Sequence, residues 1–326
     1  MAWANDPAPR RTALDRSEDF LHESNINIGS RGSALALWQA NWVKDQLTAA
    51  GYAVAIRIIK TTGDRLSQAP LSATGTKGLF IKEIEEALAD GTVDLAVHSL
   101  KDLPTDQPAG LHVAAVPERE DARDVFISRD GRSFAELAPG ARVGTSSLRR
   151  QTQLRCLRRD LQVVAMRGNL DTRLTKLDRG DCDALVLAAA GLRRLGLESR
   201  VTGYFSTDQM CPAVGQGALA LEVREDDKRI HQAVQPLDHP LSHLAVRAER
   251  ATLRQLGGGC QVPIAAHAFT EGWQLRLVGV VASPDGSDVV RASAVGAMDE
   301  PERIGASVAQ ELLKKGARAL LDSFRM

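Results

Sequence analysis

Short apolar strands alternate with amphipathic helices along two stretches of this 326-residue chain. In the first stretch, residues 26–28 form a predicted strand and residues 34–47 a predicted helix. The second stretch begins with a strand end at 142–144 and continues as a helix to about residue 158. Alternation of this kind favours an open α/β sheet. Because the pattern restarts after the charged stretch 117–121, we expect two α/β units joined by a linker.

The region after residue 240 has a different pattern. It begins with a helix, continues with strand-like stretches at 275–282 and 289–294, and ends with an amphipathic helix at about 304–323. Helices that bracket strands predict a smaller α+β domain.

Residues 1–25 mix proline and charged residues without an apolar core segment, so we expect a disordered extension rather than a signal peptide.

Composition excludes several classes of protein. The chain is 44% hydrophobic and 25% charged, which is typical of a globular protein and not of a disordered one. Its net charge of +0 and its aromatic content of 4% disfavour a nucleic-acid binder. Apolar runs are far shorter than the ~20 residues that span a bilayer. The four cysteines form no CxxC pair, which disfavours a metal site and favours a reduced, cytoplasmic location.

Basic side chains are concentrated in one segment of this neutral chain. Residues 141–180 contain ten lysines and arginines but only three carboxylates. We interpret Arg155, Arg158, Arg159 and Arg179 as a solvated basic face. Arg149 and Arg150 differ, because they fall in the first turn of a predicted helix, where a cation is unfavourable unless an anion is present. Arg167, directly after a strand, also lies where ligands of open α/β sheets bind.

The first α/β unit has polar residues at equivalent positions. Arg31 and Ser33 lie at a strand-to-helix turn, Lys77 precedes a helix, and Lys101 and Asp102 follow a buried strand. Together these residues predict two lobes that face one anion across a cleft. From spacing alone, Asp102 either pairs with a neighbouring cation or stabilises a cationic intermediate.

Cys260 follows three glycines, which leave the backbone around the thiol uncrowded. Such a thiol could be reached and modified, although spacing alone favours a loop cysteine after a helix end. Cys156 and Cys182 lie in or beside predicted elements and are interpreted as structural, whereas Cys211 stays open.

Eight sequence blocks, in order, resemble the hydroxymethylbilane synthase (porphobilinogen deaminase) family. The blocks are GSRGSALALWQ at 29–39, GTKGLF at 75–80, HSLKDLP at 98–104, GTSSLRRQ at 144–151, RGN at 167–169 with TRL at 172–174, AGLRRLGL at 190–197, PAVGQGA at 212–218 and GGCQVP at 258–263. They cover the chain from about residue 26 to the C-terminus.

The resemblance implies a fold class and a division into domains. The expected fold is α/β, with two lobes like those of periplasmic binding proteins around a cleft and a smaller α+β C-terminal domain. The implied domains are residues 26–117 with 214–236, residues 122–210, and residues 240–326, after the extension 1–25.

The resemblance also implies a reaction: four porphobilinogens are joined head to tail with loss of ammonia, on a dipyrromethane cofactor that Cys260 holds through a thioether. Asp102 corresponds to the catalytic aspartate, and Lys77 and Phe80 to a lid loop. The implied cofactor-binding residues are Cys260, Lys101, Thr145, Ser147, Arg149, Arg150, Arg167 and Arg173. The implied substrate-binding residues are Arg31, Ser33, Arg149, Arg150, Arg167, Arg173 and Arg194.

Two alternatives are weighed against this transferase. A non-catalytic two-lobed anion-binding protein would share the cleft but has no need of Cys260 after three glycines. A nucleic-acid binder would use the basic segment, and its binding would depend steeply on salt. We expect a monomer that uses a small-molecule substrate and needs no metal, membrane or nucleic acid.

Overall fold

Thirteen strands lie in the described part of the chain, which in this computed structural model comprises residues 25–65, 81–257 and 262–324. The strands are β1 Ile26–Ser30, β2 Val54–Ile58, β3 Leu95–Ser99, β4 Leu111–Ala115, β5 Asp124–Ser128, β6 Arg142–Gly144, β7 Gln162–Val164, β8 Ala184–Ala188, β9 Gly203–Tyr204, β10 Leu219–Arg224, β11 Ile264–Glu271, β12 Gln274–Ala282 and β13 Val289–Ala297.

The described α-helices flank these strands. They are α1 Ala34–Ala49, α2 Thr62–Arg65, α3 Lys82–Ala89, α4 Leu148–Leu157, α5 Leu170–Asp178, α6 Ala189–Arg194, α7 Lys228–Val234, α8 Pro240–Gln255, α9 Pro301–Lys314 and α10 Ala317–Asp322. Ser33 caps α1, since its side chain accepts a hydrogen bond from the Ala36 N–H. The predicted helix 304–323 is wrong as a single element, because Gly316 takes a left-handed φ of 96° between α9 and α10.

Two five-stranded mixed sheets share one topology. The first has the order β2-β1-β3-β10-β4 and the second the order β7-β6-β8-β5-β9. In each, four strands run in the same direction and the strand in fourth place, β10 or β5, is antiparallel to both neighbours. The two expected α/β lobes are therefore confirmed. The β10 strand reaches the first sheet only after the chain has completed the second, so two chain segments cross between the lobes.

The two crossing segments bind one another. Arg119 Nε donates to the Gln216 carbonyl at 2.8 Å, and Gln216 Nε2 donates to the Ala122 carbonyl at 2.6 Å. The Glu120 N–H donates to the Gly217 carbonyl at 3.3 Å. These contacts fix the point at which the lobes meet, and this point forms the base of a cleft.

The C-terminal unit is a three-stranded antiparallel sheet, β11-β12-β13, against which α8, α9 and α10 pack. Its core includes Ala248, Leu277 and Val308, all fully buried. This unit confirms the expected smaller α+β domain. Strands β4, β5, β9, β10 and β11 were not predicted from the sequence pattern. The domain bounds implied by the resemblance stay a prediction, and residues 1–24 of the predicted extension lie outside the described residues.

Each lobe buries the apolar face of its sheet against its own helices. In the first lobe, Ile28 and Leu95 pack with Val43 of α1. On the same helix Trp38 remains 36% exposed, whereas Gln39 and Ala40 are buried. No helix among the described residues is both long and apolar enough to cross a bilayer.

Candidate active site

A cleft of about 920 Å³ lies between the two lobes and also reaches the C-terminal unit. Its wall includes Ser33 from the first lobe, Arg150 from the second and Val262 from the C-terminal unit. Of the residues predicted from the sequence, those that line the cleft are Arg31, Ser33, Lys101, Asp102, Ser147, Arg149, Arg150, Arg167, Arg173 and Arg194. The carboxyl ends of β1, β3, β6 and β7 bring most of them together.

The lining of the cleft is strongly cationic. Nine lysine and arginine side chains and three aspartates line it within the described residues. Burial lowers the pKa of Arg173 and of Arg194 to about 10. These shifts show that the positive charges are poorly solvated, so an anion that enters the cleft is stabilised by them.

Arg149 and Arg150, at the beginning of α4, already pair with a carboxylate of the protein itself, Asp124. Arg149 Nη1 lies 2.7 Å from Asp124 Oδ2, and Arg150 Nη2 lies 2.8 Å from Asp124 Oδ1. Asp124 is fully buried, and both arginine side chains are at most 7% exposed. The expected conflict between cations and the helix N-terminus is thus partly resolved inside the protein rather than only by a bound ligand.

Arg31 also meets a carboxylate of the chain. Its Nε and Nη2 donate to Asp64, with an Nη2–Oδ1 distance of 2.5 Å. The Thr61 hydroxyl donates to the other Asp64 oxygen at 2.8 Å. Burial opposes ionisation of Asp64, but Arg31 and Thr61 together hold its pKa below its ordinary value. Because Asp64 also lines the cleft, a ligand carboxylate could replace it on Arg31.

Lys101 and Asp102 lie in a 3-10 turn, Leu100–Asp102, directly after β3. Leu100 is buried and its N–H donates to the Ala218 carbonyl, which anchors the turn to the first sheet. Beyond the turn, Arg250 of α8 donates to the Pro104 carbonyl at 2.6 Å. Asp102 is exposed on the cleft surface, whereas Lys101 is half-buried.

Electrostatic contact joins Asp102 to the cationic wall. Its charge acts on the ionisation of Lys101, Arg150 and Arg173. Arg173 Nε donates to the Gly168 carbonyl at 2.8 Å, which holds the side chain at the beginning of α5. A carboxylate surrounded by these cations is well placed to act on positive charge that develops on a ligand.

Arg194 enters the cleft from the end of α6. Its Nη2 donates to the Gly217 carbonyl at 2.7 Å, and its guanidinium carbon lies 5.8 Å from the centre of the Trp38 ring. Arg167 follows β7 and lines the same wall. The predicted substrate-binding arginines therefore come from several elements and converge on one space.

Thr145 is placed differently from the other predicted binding residues. It is 2% exposed and does not line the cleft, and its hydroxyl accepts a hydrogen bond from the Ser147 N–H at 3.2 Å. Ser147 occupies the N-cap position of α4, but its side chain makes no capping hydrogen bond. Lys77, Phe80 and Cys260 lie outside the described residues.

Among the residues predicted to form a solvated basic face, Arg155 is an exception. It donates to the Pro284 carbonyl and so joins α4 to the C-terminal unit. Arg159 and Arg179 are exposed, and Arg158 forms an ion pair with Asp160 at 2.6 Å.

Sequence reasoning missed Asp64, Asp124 and Gln216. Asp124 and Gln216 both contact the arginine pair, and Asp64 contacts Arg31. A charged residue at the beginning of the buried strand sequence DVFIS was the available signal for Asp124, because such a residue needs a buried partner.

The cleft fits a polyanionic cofactor. Buried Arg149 Nε and Ser146 Oγ have no hydrogen-bond partner among the described residues, which leaves polar groups beside the cleft unsatisfied. The excess of cations matches a group that bears several carboxylates. Val262, two residues after Cys260 in the sequence, lines the cleft.

Comparisons with known proteins agree with this chemistry. The model for "Porphobilinogen deaminase, dipyromethane cofactor binding domain" matches residues 26–232, and that for "Porphobilinogen deaminase, C-terminal domain" matches residues 243–314. Among solved structures, the methionine binding protein MetQ is similar, with 16% identity and a TM-score of 0.42 over 65% of this chain and 90% of that chain.

Curated relatives are similar over nearly the whole chain. Porphobilinogen deaminase of Pelobacter propionicus is 52% identical over 299 residues, covering 91% of this chain and 96% of the relative. That of Syntrophotalea carbinolica is 50% identical over 303 residues, covering 92% and 96%. The chain therefore belongs to the porphobilinogen deaminase (hydroxymethylbilane synthase) family, transferases of porphyrin biosynthesis with the number EC 2.5.1.61.

Proposed function

We propose that the cleft performs the family's reaction with Asp102 as the catalytic residue and the cationic wall as the holder of the pyrrole carboxylates. The observation that supports this most is the exposed Asp102 carboxylate within a cleft lined by nine cations. Each porphobilinogen bears an acetate and a propionate, so a growing oligopyrrole gathers negative charge that must be neutralised.

Bidentate arginine contacts suit these carboxylates. A guanidinium presents two parallel N–H groups to a carboxylate, and it stays charged at any working pH. We assign this role to the substrate-binding set named from the sequence, namely Arg31, Ser33, Arg149, Arg150, Arg167, Arg173 and Arg194. Thr145 acts through Ser147 rather than on the ligand, since its hydroxyl is turned to the Ser147 N–H.

Asp102 acts on the reacting end of the substrate. Departure of ammonia from the aminomethyl group leaves a cation on the pyrrole, and an ionised carboxylate stabilises that charge. The same carboxylate can accept a hydrogen bond from the pyrrole N–H of the attacking ring. Lys101, Arg150 and Arg173 lie close enough to Asp102 for its charge to act on theirs.

The dipyrromethane, when bound, supplies a primer of two linked pyrroles to which substrate is added. In this chain Cys260 would form the thioether, and Lys101, Ser147, Arg149, Arg150, Arg167 and Arg173 would hold the carboxylates. Lys77 and Phe80 would belong to a loop that excludes water from the cleft. We further propose a cytoplasmic monomer; the reduced location agrees with four cysteines scattered along the chain. Sedimentation of the purified protein measures its mass in solution and so tests whether it is a monomer.

Intact mass spectrometry tests the cofactor assignment. Cys260→Ser should give a folded protein without the extra mass of two pyrrole units, because serine provides no thiolate to form the thioether. Cys156→Ser, which changes a half-buried thiol in α4, is the matched control and should retain the extra mass. Retention of the mass in Cys260→Ser would contradict the assignment.

A further inference from the structure

Asp124 is a buried carboxylate that touches the active-site arginines without touching the cleft. It is the first residue of β5, is fully buried, and is absent from the cleft lining that includes Arg149 and Arg150. It accepts hydrogen bonds from Arg149 Nη1 at 2.7 Å, Arg150 Nε at 3.0 Å and Arg150 Nη2 at 2.8 Å. Gln216 Nε2 donates to the same carboxylate at 2.9 Å.

We propose that Asp124 is a positioning residue that orients Arg149 and Arg150 toward the cleft and cancels one of their two charges. The pair then binds one ligand carboxylate instead of two. This inference rests on the proposed role of the two arginines as carboxylate holders.

The charge balance follows from burial. Two guanidiniums that are nearly removed from water need anions nearby, and Asp124 provides one negative charge for two positive ones. Burial by itself would raise the pKa of Asp124, but Arg149 and Arg150 hold it well below its ordinary value. The carboxylate therefore stays ionised, and the cluster keeps a net charge of about +1 for a ligand.

The orientation follows from how the hydrogen bonds are divided. One Asp124 oxygen serves Arg149 and the other serves Arg150, so the two guanidiniums cannot turn independently. The Cys211 carbonyl accepts a second hydrogen bond from Arg149 Nη1 at 2.6 Å. Gln216 Oε1 lies 3.4 Å from Arg149 Nη2 and 3.5 Å from Arg150 Nη2. Both arginines are thereby tied to the segment that crosses between the lobes.

Asp124→Asn separates the charge of this residue from its shape. The variant leaves the arginine pair with two uncompensated charges, so inorganic phosphate should inhibit turnover at a concentration at least tenfold lower than for the unaltered enzyme. Phosphate should also raise the unfolding temperature of this variant more steeply. Loosely held arginines should raise KM for porphobilinogen more than they lower kcat.

Asp94→Asn is the matched control. Asp94 also pairs with two arginines, Arg224 and Arg229, but none of the three lines the cleft. This variant should lose stability while its phosphate sensitivity and KM remain unchanged. If Asp124→Asn behaves in the same way, Asp124 is only a structural residue and the proposal fails.

Asp124→Glu keeps the proposal testable if the asparagine variant does not fold. It retains the charge but displaces the carboxylate, so phosphate sensitivity should stay unchanged while KM rises. Phosphate sensitivity raised to the level expected for Asp124→Asn, or an unaltered KM, would overturn the proposal. Intact mass should show cofactor retention in each variant compared.

Arg150→Gln distinguishes failure of this inference from failure of the proposed function. If Arg150→Gln leaves KM and cofactor retention unchanged, the arginine pair does not hold ligand carboxylates and both proposals fall. If Arg150→Gln raises KM while Asp124→Asn matches Asp94→Asn, only the role of Asp124 is refuted.

Discussion

Lys101 gives the active site a pH dependence that can be worked out from the structure. Burial lowers the pKa of Lys101 from an ordinary 10.5 to about 8, with the neighbouring Arg150 and Arg149 adding to the effect. Asp102 and Asp124 oppose it. In the protein without substrate, Lys101 therefore loses its proton above about pH 8, in a range where an ordinary lysine is fully charged.

The sign of the effect on binding follows from this pKa. Below pH 8 the ammonium is present and can hold a carboxylate of the pyrrole chain that grows on the cofactor, whereas above pH 8 the carboxylate meets a neutral amine. A group with a pKa of about 8 is roughly nine-tenths protonated at pH 7 and one-tenth protonated at pH 9. We expect kcat/KM to fall roughly tenfold per pH unit above 8. A carboxylate paired with Lys101 raises its pKa, so kcat should fall only at higher pH.

Steady-state turnover of porphobilinogen from about pH 6 to pH 10 measures both profiles. The matched variant is Lys101→Arg, because a guanidinium keeps its charge throughout this range. Titration of the substrate's own amine affects both enzymes equally, so the difference between the profiles isolates residue 101. The alkaline fall in kcat/KM should disappear or move upward in Lys101→Arg. Superimposable profiles would refute the reasoning.

Two further predictions concern the turn at Asp102 and the base of the cleft. Asp102→Asn should retain the cofactor mass but lower kcat by roughly 10²–10⁴-fold, and a near-normal kcat would rule out a catalytic carboxylate. Gly217→Ala should lower the free energy of unfolding by about 2–4 kcal/mol in urea, because φ is +89° there and the added Cβ would overlap the Glu120 carbonyl oxygen. Gly131→Ala, with φ +81° and no atom near its Cβ, is the control, and an equal loss in both variants would show that the contact with Glu120 is unimportant.

Local sequence pattern predicted the regular parts of both lobes. The strand at the beginning of the first lobe and the helix before residue 158 both depend on side chains close in sequence. The missed strands β5 and β11 lack such a local signal. The β5 strand is buried on both faces and lacks alternation, and β11 contains several alanines, which have low strand propensity.

In the candidate site, too, local sequence predicted some residues and missed their distant partners. Arg149 and Arg150 could be singled out because two cations at a helix beginning conflict with local electrostatics. Their partner Asp124 lies 25 and 26 residues away in sequence, and Gln216 lies more than 60 residues beyond them. Contacts of this kind depend on how the sheets close, so the pattern predicted that an anion was needed but not that the protein supplies one.

The two internal carboxylates of the cleft differ in how readily a ligand can replace them. Asp64 is 27% exposed and Arg31 20%, so water and a substrate carboxylate can reach both partners when their ion pair breaks. Asp124 is fully buried between two arginines, and removing such a partner costs about 3–5 kcal/mol. We therefore expect Arg31 to exchange its internal carboxylate for a ligand carboxylate, and the arginine pair to keep its internal anion while ligands bind. On this proposal, ligand binding separates Arg31 from Asp64 in the first lobe and leaves Asp124 paired with both arginines in the second.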